Sequence, residues 1–184
     1  MLIAGPMGSG KTTAVQSLSE IPVVSTEAHN NDRAQADKLT TTVALDYGEI
    51  TLSPEHKLRM YGVPGQRRFS FMWKILQERA EGLLLLVHND APDPVPTVLE
   101  YLEDFQDLIQ RGAVAIGVTR MELLPRPTIP MYVEALRAAY PNITIPVFSV
   151  DAREAGQLQK VLVALVAAVE ATAMVGAANE GARR

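Results

Sequence analysis

Near the start of the chain stands Gly5-Pro6-Met7-Gly8-Ser9-Gly10-Lys11-Thr12, followed by Thr13. Glycines at this density let the backbone curl so that successive N–H groups converge on one anion. A helix beginning at Lys11 would aim its positive end at the same anion. Lys11 adds a mobile point charge suited to the β- and γ-phosphates of a nucleotide, and Thr12 a hydroxyl suited to Mg²⁺. The run matches G-x-x-x-x-G-K-[ST] at every fixed position, between an apolar strand and a helix, as that pattern requires. With glycine at about 7% of residues, a chance match in a chain this size is on the order of one in a hundred. The bland alternative is a glycine-rich turn with a surface lysine. By itself the phosphate loop leaves a GTPase, an ATPase and a small-molecule kinase open.

The elements that must position this loop alternate strand and helix. Met1–Gly5 is a short apolar strand and Lys11–Ser19 a helix. Pro22–Lys38 is polar and irregular, long enough to be functional. Thr42–Leu52 alternates Val43, Leu45 and Tyr47, and His56–Val63 returns after Ser53-Pro54-Glu55 to close a hairpin. Arg67–Ala80 is helical. Gly82–His88 has no alternation, the mark of a strand buried on both faces. Thr97–Gln110 carries Val98, Leu102, Phe105, Leu108 and Ile109 at helical spacing and is capped by Gly112. Ala113–Thr119 is a strand, Ile129–Tyr140 a helix, Ile143–Val150 a strand and Glu154–Met174 the last helix. Residues 1–175 read as one domain and 176–184 as a frayed tail. The expected fold is α/β, three layers, with a mostly parallel six-stranded sheet and one antiparallel strand from the hairpin. Ligands in such sheets bind beyond the carboxyl ends of the strands, which is where the motifs fall.

At the end of the hairpin's second strand stands Tyr61-Gly62-Val63-Pro64-Gly65-Gln66-Arg67-Arg68-Phe69, with Trp73 and Leu76 beyond. This resembles the D-x-x-G-Q-E-R-F…W switch segment of the Ras, Rab and Arf GTPases, P-loop NTPases of the Ras-like fold. Thr42-Val43-Ala44-Leu45-Asp46-Tyr47 looks like the T-I-G-V-D-F that follows the first switch in Rabs. Thr119-Arg120-Met121-Glu122 stands where the family has N-K-x-D, and Asp151-Ala152-Arg153 where it has S-A-K. The resemblance runs from Met1 to about Met174 and is closest to the bacterial MglA-type GTPases and those encoded beside roadblock-domain proteins.

The resemblance implies GTP or GDP with Mg²⁺ as ligands and slow GTP hydrolysis as the activity. Gly5, Gly8, Ser9, Gly10, Lys11, Thr12, Thr13 and Gly65 would surround the phosphates. Gln66 would orient the attacking water, with Lys11 supporting catalysis; otherwise Gln66 is a solvated residue leading a helix. Thr12 and Thr42 would serve Mg²⁺, with Thr40 and Thr41 as adjacent rivals, and a threonine at a strand start needs no function. Glu122 would accept from guanine N1–H and the exocyclic amine, which a carboxylate does bidentately; a surface glutamate is the plain alternative. Arg120 would stack on the base or brace the loop, and Ala152 would offer its backbone N–H to guanine O6, between Asp151 and Arg153. Phe69, Phe71, Met72 and Trp73 read as core and switch packing.

The pattern breaks at two places. The family's Asp in D-x-x-G, which holds a Mg²⁺-bound water, is Gly62 here, with Asp46 and Asp90 as candidates for a displaced acid. Met7 stands where Ras has glycine, and its thioether would crowd an inserted arginine finger. A roadblock-domain dimer on the switch face, Thr42–Tyr47 and Arg67–Trp73, is therefore the regulator the resemblance suggests. Two readings compete with a switched GTPase: a nucleotide-holding scaffold with little hydrolysis, and an ATP-dependent small-molecule kinase, for which no lid or second arginine cluster is visible.

The 184 residues carry 17 Lys and Arg against 21 Asp and Glu, a net charge of −4, and 47% are hydrophobic. That balance argues against a protein living on nucleic-acid phosphates or anionic lipid. Cysteine is absent, which removes thiol catalysis and disulfides and fits a reducing cytoplasm. The longest apolar runs fall well short of the ~20 residues of a membrane span. Neither a signal peptide nor a prenylation motif is seen, so a cytoplasmic location is expected. His29, His56 and His88 are unclustered and suggest no metal.

Overall fold

The computed structural model describes residues 1–25 and 45–181, with side chains through 171. The chain order is β1 (Leu2–Ala4), α1 (Lys11–Leu18), β2 (Val24–Ser25), β3 (Asp46–Ser53), β4 (His56–Gly62), α2 (Ser70–Glu78) and β5 (Leu83–His88). It continues with α3 (Pro94–Glu103), α4 (Gln106–Gln110), β6 (Val114–Thr119), α5 (Ile129–Ala139), β7 (Val147–Ser149) and α6 (Ala155–Gly181). Among the described residues the sheet has seven strands in the order β2-β3-β4-β1-β5-β6-β7. β1, β4, β5, β6 and β7 run parallel, while β3 pairs antiparallel with both β4 and β2.

Alternation along the central strands divides the core in two. Leu2, Ala4, Leu83, Leu85 and Val87 face one side, packed with Trp73, Leu102, Phe105, Tyr132 and Leu136 from α2, α3, α5 and the α3–α4 joint. Ile3, Leu84 and Leu86 face the other, packed with Val15 and Leu18 of α1 and Leu158, Val161 and Leu165 of α6. A strand period of two delivers neighbouring residues to opposite faces, so an unbroken run such as Leu83–Val87 fills both cores. This is the three-layer α/β/α arrangement that the apolar strands predict.

Five details depart from the sequence reading. The seventh strand, β2, lies within the stretch read as irregular and pairs Val24 with Tyr47 and Ser25 with Asp46. The helix read over Thr97–Gln110 starts earlier, with Pro94 in its first turn, and breaks into α3 and α4 around Asp104 and Phe105. The Asp104 carbonyl at the break accepts from the buried Gln77 amide at 3.0 Å, and Phe105 is delivered to the core beside Trp73. β7 is shorter than Ile143–Val150 because Pro146 has no N–H for the ladder, although its carbonyl still accepts from Ile116 at 2.9 Å. The last helix runs to Gly181, so most of the stretch read as a frayed tail is helical. The helix read from Arg67 opens as a 3-10 turn over Arg67–Phe69 before α2.

Candidate functional site

The loop between β1 and α1 is shaped by glycine. Gly5, Gly8 and Gly10 all have positive φ, at 136°, 82° and 97°. At Gly5 the requirement is also steric, since a Cβ there would lie 1.9 Å from the Leu86 carbonyl oxygen. Gly10 precedes the first turn of α1, and its carbonyl accepts from Ala14 at 2.8 Å. Lys11 Nζ donates back to the Pro6 carbonyl at 2.8 Å. Burial pulls its pKa down to about 8, opposed by the charge of Asp46. A cation held with little solvent is poised to gain from an arriving polyanion. The buried Ser9 hydroxyl has no hydrogen-bond partner in the structure. Thr12 is exposed, and its hydroxyl donates to Asp46 Oδ2 at 2.5 Å.

The segment after β4 is pinned against this loop. Val63 N–H donates to Ile3 at 3.0 Å. Trp73 Nε1 donates to the Pro64 carbonyl at 3.1 Å, and the Tyr101 hydroxyl to the Gly65 carbonyl at 2.5 Å. Gly65 approaches so closely that a Cβ on it would lie 2.7 Å from Gly5 O, Lys11 Nζ and Met7 N. Gln66 is exposed at the loop's mouth, with Nε2 donating to the Met7 sulfur at 3.7 Å. Thr42, with its rivals Thr40 and Thr41, lies outside the described residues.

The aromatic set divides. Trp73 is fully buried against Phe105 and Tyr101, so it belongs to the core. Phe71 is exposed, as is Ile75 one turn on, and Phe69 is half-buried beneath the Arg68 guanidinium. Arg67 pairs with Asp104 at 3.1 Å and with Glu100 at 3.5 Å.

On the other side of the loop lies a cleft of about 470 Å³. Gly8, Ser9, Gly10 and Thr13 form one wall, Thr119, Arg120 and Glu122 after β6 a second, and Asp151, Ala152 and Arg153 after β7 a third. Three segments far apart in sequence therefore meet beyond the carboxyl end of the sheet. Arg120, at a left-handed φ of 59°, donates from Nη2 to the Gly8 carbonyl at 2.9 Å and from Nη1 to Asp90 at 3.2 Å. Of the two roles open to it, bracing the loop is the one seen. Asp90 is thereby engaged by Arg120 and is bonded also to His88 at 3.0 Å. Hydrogen bonds from the Arg153 side chain and backbone hold the Asp151 carboxyl down to about 2. Glu122 is exposed on the cleft wall.

Two positioning residues escape a motif reading. Asn89 is fully buried: its amide donates to Leu124 and Pro127 carbonyls at 2.6 and 3.1 Å, and its oxygen accepts from Tyr132 at 2.7 Å. It thus fixes the loop that carries Glu122. Tyr101, the second, holds Gly65. A polar Asn directly after the apolar run Leu83–His88 is the one signal that could have flagged the first; nothing local flags the second.

The donors at the Thr12 side fit a magnesium ion. Thr12 and Asp46 offer hard oxygen atoms, which Mg²⁺ prefers, and it binds through few protein groups plus substrate phosphates. No group of three His, Cys, Asp or Glu side chains able to hold a metal alone occurs among the described residues.

No family model and no curated protein matches the chain. Its fold is matched among solved structures. The Arl6 small GTPase of Trypanosoma brucei, solved with the bound nucleotide analogue GppNp, superposes with a TM-score of 0.67 at 14% identity. The match covers 93% of this chain and 96% of that one. The chain therefore has the Ras-like P-loop fold, an α/β sheet flanked by helices.

Proposed function

We propose that the protein is a guanine-nucleotide switch that binds GTP and GDP with Mg²⁺ and hydrolyses GTP slowly, in the manner of bacterial MglA-type GTPases. The observation that carries this reading is the meeting of three motif segments, Gly8–Gly10 with Thr13, Thr119–Glu122 and Asp151–Arg153, in one cleft beside a complete phosphate loop. The loop N–H groups and Lys11 bind the phosphates, and Thr12 presents its hydroxyl to the metal, which when bound neutralises charge on the β- and γ-oxygens. Gln66, exposed at the mouth of the loop, would turn its amide to a water for attack. Glu122 accepts the two guanine donors that adenine lacks on that edge, with the Ala152 N–H facing the base oxygen. The fold neighbour's GTP analogue supports a nucleotide of this kind. Identifying the nucleotide released on denaturing purified protein tests the reading; GTP or GDP is expected, and adenine nucleotide overturns it.

The reading extends to a regulator. A roadblock-domain dimer would dock on α2 and the neighbouring strand, with exposed Phe71 and Ile75 as anchors beside Arg68. Trp73 takes no part in such a surface, because it is buried. Binding that differs several-fold between GTP-analogue and GDP forms is expected from titration, and equal binding to both counts against it. Such a switch would work in the cytoplasm; no helix among the described residues is long and apolar enough to cross a membrane. A second reading, a scaffold that holds nucleotide with little turnover, is favoured by the Gln66–Met7 contact, which engages one N–H of the amide that would align the water. Single-turnover hydrolysis separates the two.

A further inference from the structure

Within α6 the nine residues Val161–Val169 are all aliphatic, without a charge or a polar side chain. A stretch of that length makes about two and a half turns, so it covers every face of the helix. The inward stripe, Leu158, Val161, Leu162 and Leu165, is buried with α1 against the sheet. The opposite stripe, Lys160, Val163, Ala167 and Glu170, is exposed, as are Ala164 and Ala171 beside it. Val163 leaves 52% of its surface open. A helix face turned to water ordinarily carries charge, and a helix that is apolar all round is buried. Between Lys160 and Glu170 the outward face of α6 has the character of a covered one.

Steps of three, four and three residues keep Lys160, Val163, Ala167 and Glu170 on one line, the repeat of a seam between paired helices. Alanines at and beside that line let a second backbone approach to about 8 Å, the near end of helix packing. The charges bracket the apolar stretch symmetrically: Lys160 stands five residues before Leu165 and Glu170 five after it. Two copies lying antiparallel, with a dyad level with Leu165, set each Lys160 against the other's Glu170 and each Val163 against an Ala167. A parallel pair would oppose lysine to lysine and glutamate to glutamate, which repels. Lys160 makes no ion pair among the described residues, whereas Glu170 Oε1 lies 2.6 Å from His56 Nε2, which steadies the carboxylate at its end of the stripe.

We propose that the outward face of α6 is an interface at which two copies of this chain pair antiparallel about a twofold axis, each Lys160 meeting the Glu170 of the other. The seam from Lys160 to Glu170 is only about 15 Å long. Its area lies at the small end of specific interfaces, so the pairing is weak and reversible, with a dissociation constant on the order of 10–100 μM. None of the seam residues lines the nucleotide cleft, and the inference stands or falls apart from the nucleotide reading.

Sedimentation equilibrium of the full chain, over a ~100-fold concentration range bracketing that value, tests it. The wild type is expected to rise from the mass of one chain toward that of two. Val163→Glu, which would bury an unpaired charge in the seam, should weaken association at least ~10-fold. Lys160→Glu and Glu170→Lys should each weaken it several-fold, and the exchanged pair carrying both should recover it. All three side chains are exposed, so the fold should survive, and thermal melting checks this. Glu170→Lys also loses the His56 contact; if it melts early, Val163→Glu and Lys160→Glu still decide the question. A wild type that stays monomeric throughout overturns the inference and leaves the face to a different partner. Association indifferent to Val163→Glu moves it to another surface, and single variants that weaken it without recovery in the exchanged pair refute the antiparallel arrangement; either result overturns the inference.

Discussion

Lys11 is held at a cost that its ligand would repay. Its ammonium has one backbone carbonyl, Pro6, for a partner, and burial lowers its pKa to about 8. Replacing it with alanine removes an unfavourable buried charge from the empty site and the favourable one from the loaded site. Lys11→Ala should therefore fold normally and lose at least ~100-fold in GTP affinity, since hydrogen bonds to charged groups are worth about 1.5–3 kcal/mol each. Direct titration decides this, and a folded variant with unchanged affinity would sink the phosphate-loop assignment. Glu122 works at the other end. It should give guanine at least ~10-fold preference over adenine, the modest level of a loosely fitted polar site, and Glu122→Ala should erase it. Gln66 is expected to matter for rate alone: Gln66→Leu should slow single-turnover hydrolysis and leave GTP binding near normal. At this scale the motifs were legible because each depends on residue type at fixed short spacing. The partners of those residues were not. Arg120 reaches Gly8 and Asp46 reaches Thr12 across chain separations that no local pattern encodes.

The loops that line the cleft are held by residues outside its walls. Asn89 follows β5 and satisfies two carbonyls of the loop after β6, while Tyr132 of α5 bonds Asn89. Asn89→Ala would leave these groups buried without partners, at roughly 1–3 kcal/mol each. Guanine discrimination should fall with stability, whereas inorganic phosphate binding at the loop should change little. The same network sets an alkaline limit. Burial raises the Tyr132 phenol from its ordinary value to about 12. Its neutral form is favoured in the folded state, so its contribution is full below about pH 10 and is lost as pH rises through about 12. Tyr132→Phe should melt lower than wild type near pH 8, by the lost hydrogen bond, yet lose less on moving to about pH 11. Tyr101 is raised likewise and stays in both proteins, so the difference isolates Tyr132. Parallel melts at the two pH values would show it, and an equal drop in both would remove Tyr132 from the account.

For the molecule as a whole, the cleft joins loops from β1, β6 and β7, so a ligand there should stabilise the entire domain. At about 100 times its dissociation constant a ligand adds ~2.7 kcal/mol. For a domain of this size that corresponds to roughly 5–10 °C in melting temperature. GDP with Mg²⁺ should produce such a shift and ATP at equal concentration should not; matching shifts would count against guanine selectivity.

What the sequence determined by itself is the layered α/β frame and the glycine-built loop between its first strand and first helix. Unbroken apolar strands such as Leu83–Val87 require two covered faces, and Gly5, Gly8 and Gly10 mark the positive-φ positions of the loop. These are local properties, written in hydrophobic period and in backbone conformations that glycine alone adopts easily. The tertiary structure decided which side chains meet. The break between α3 and α4 places Phe105 against Trp73, which withdraws that indole from the surface. The β3–β4 register sets Asp46 opposite Gly62, on the face where its carboxylate meets the Thr12 hydroxyl. A slip of one residue would carry Asp46 to the opposite face of the sheet, away from Thr12. Register is fixed by the packing of both cores together, which no window of sequence contains.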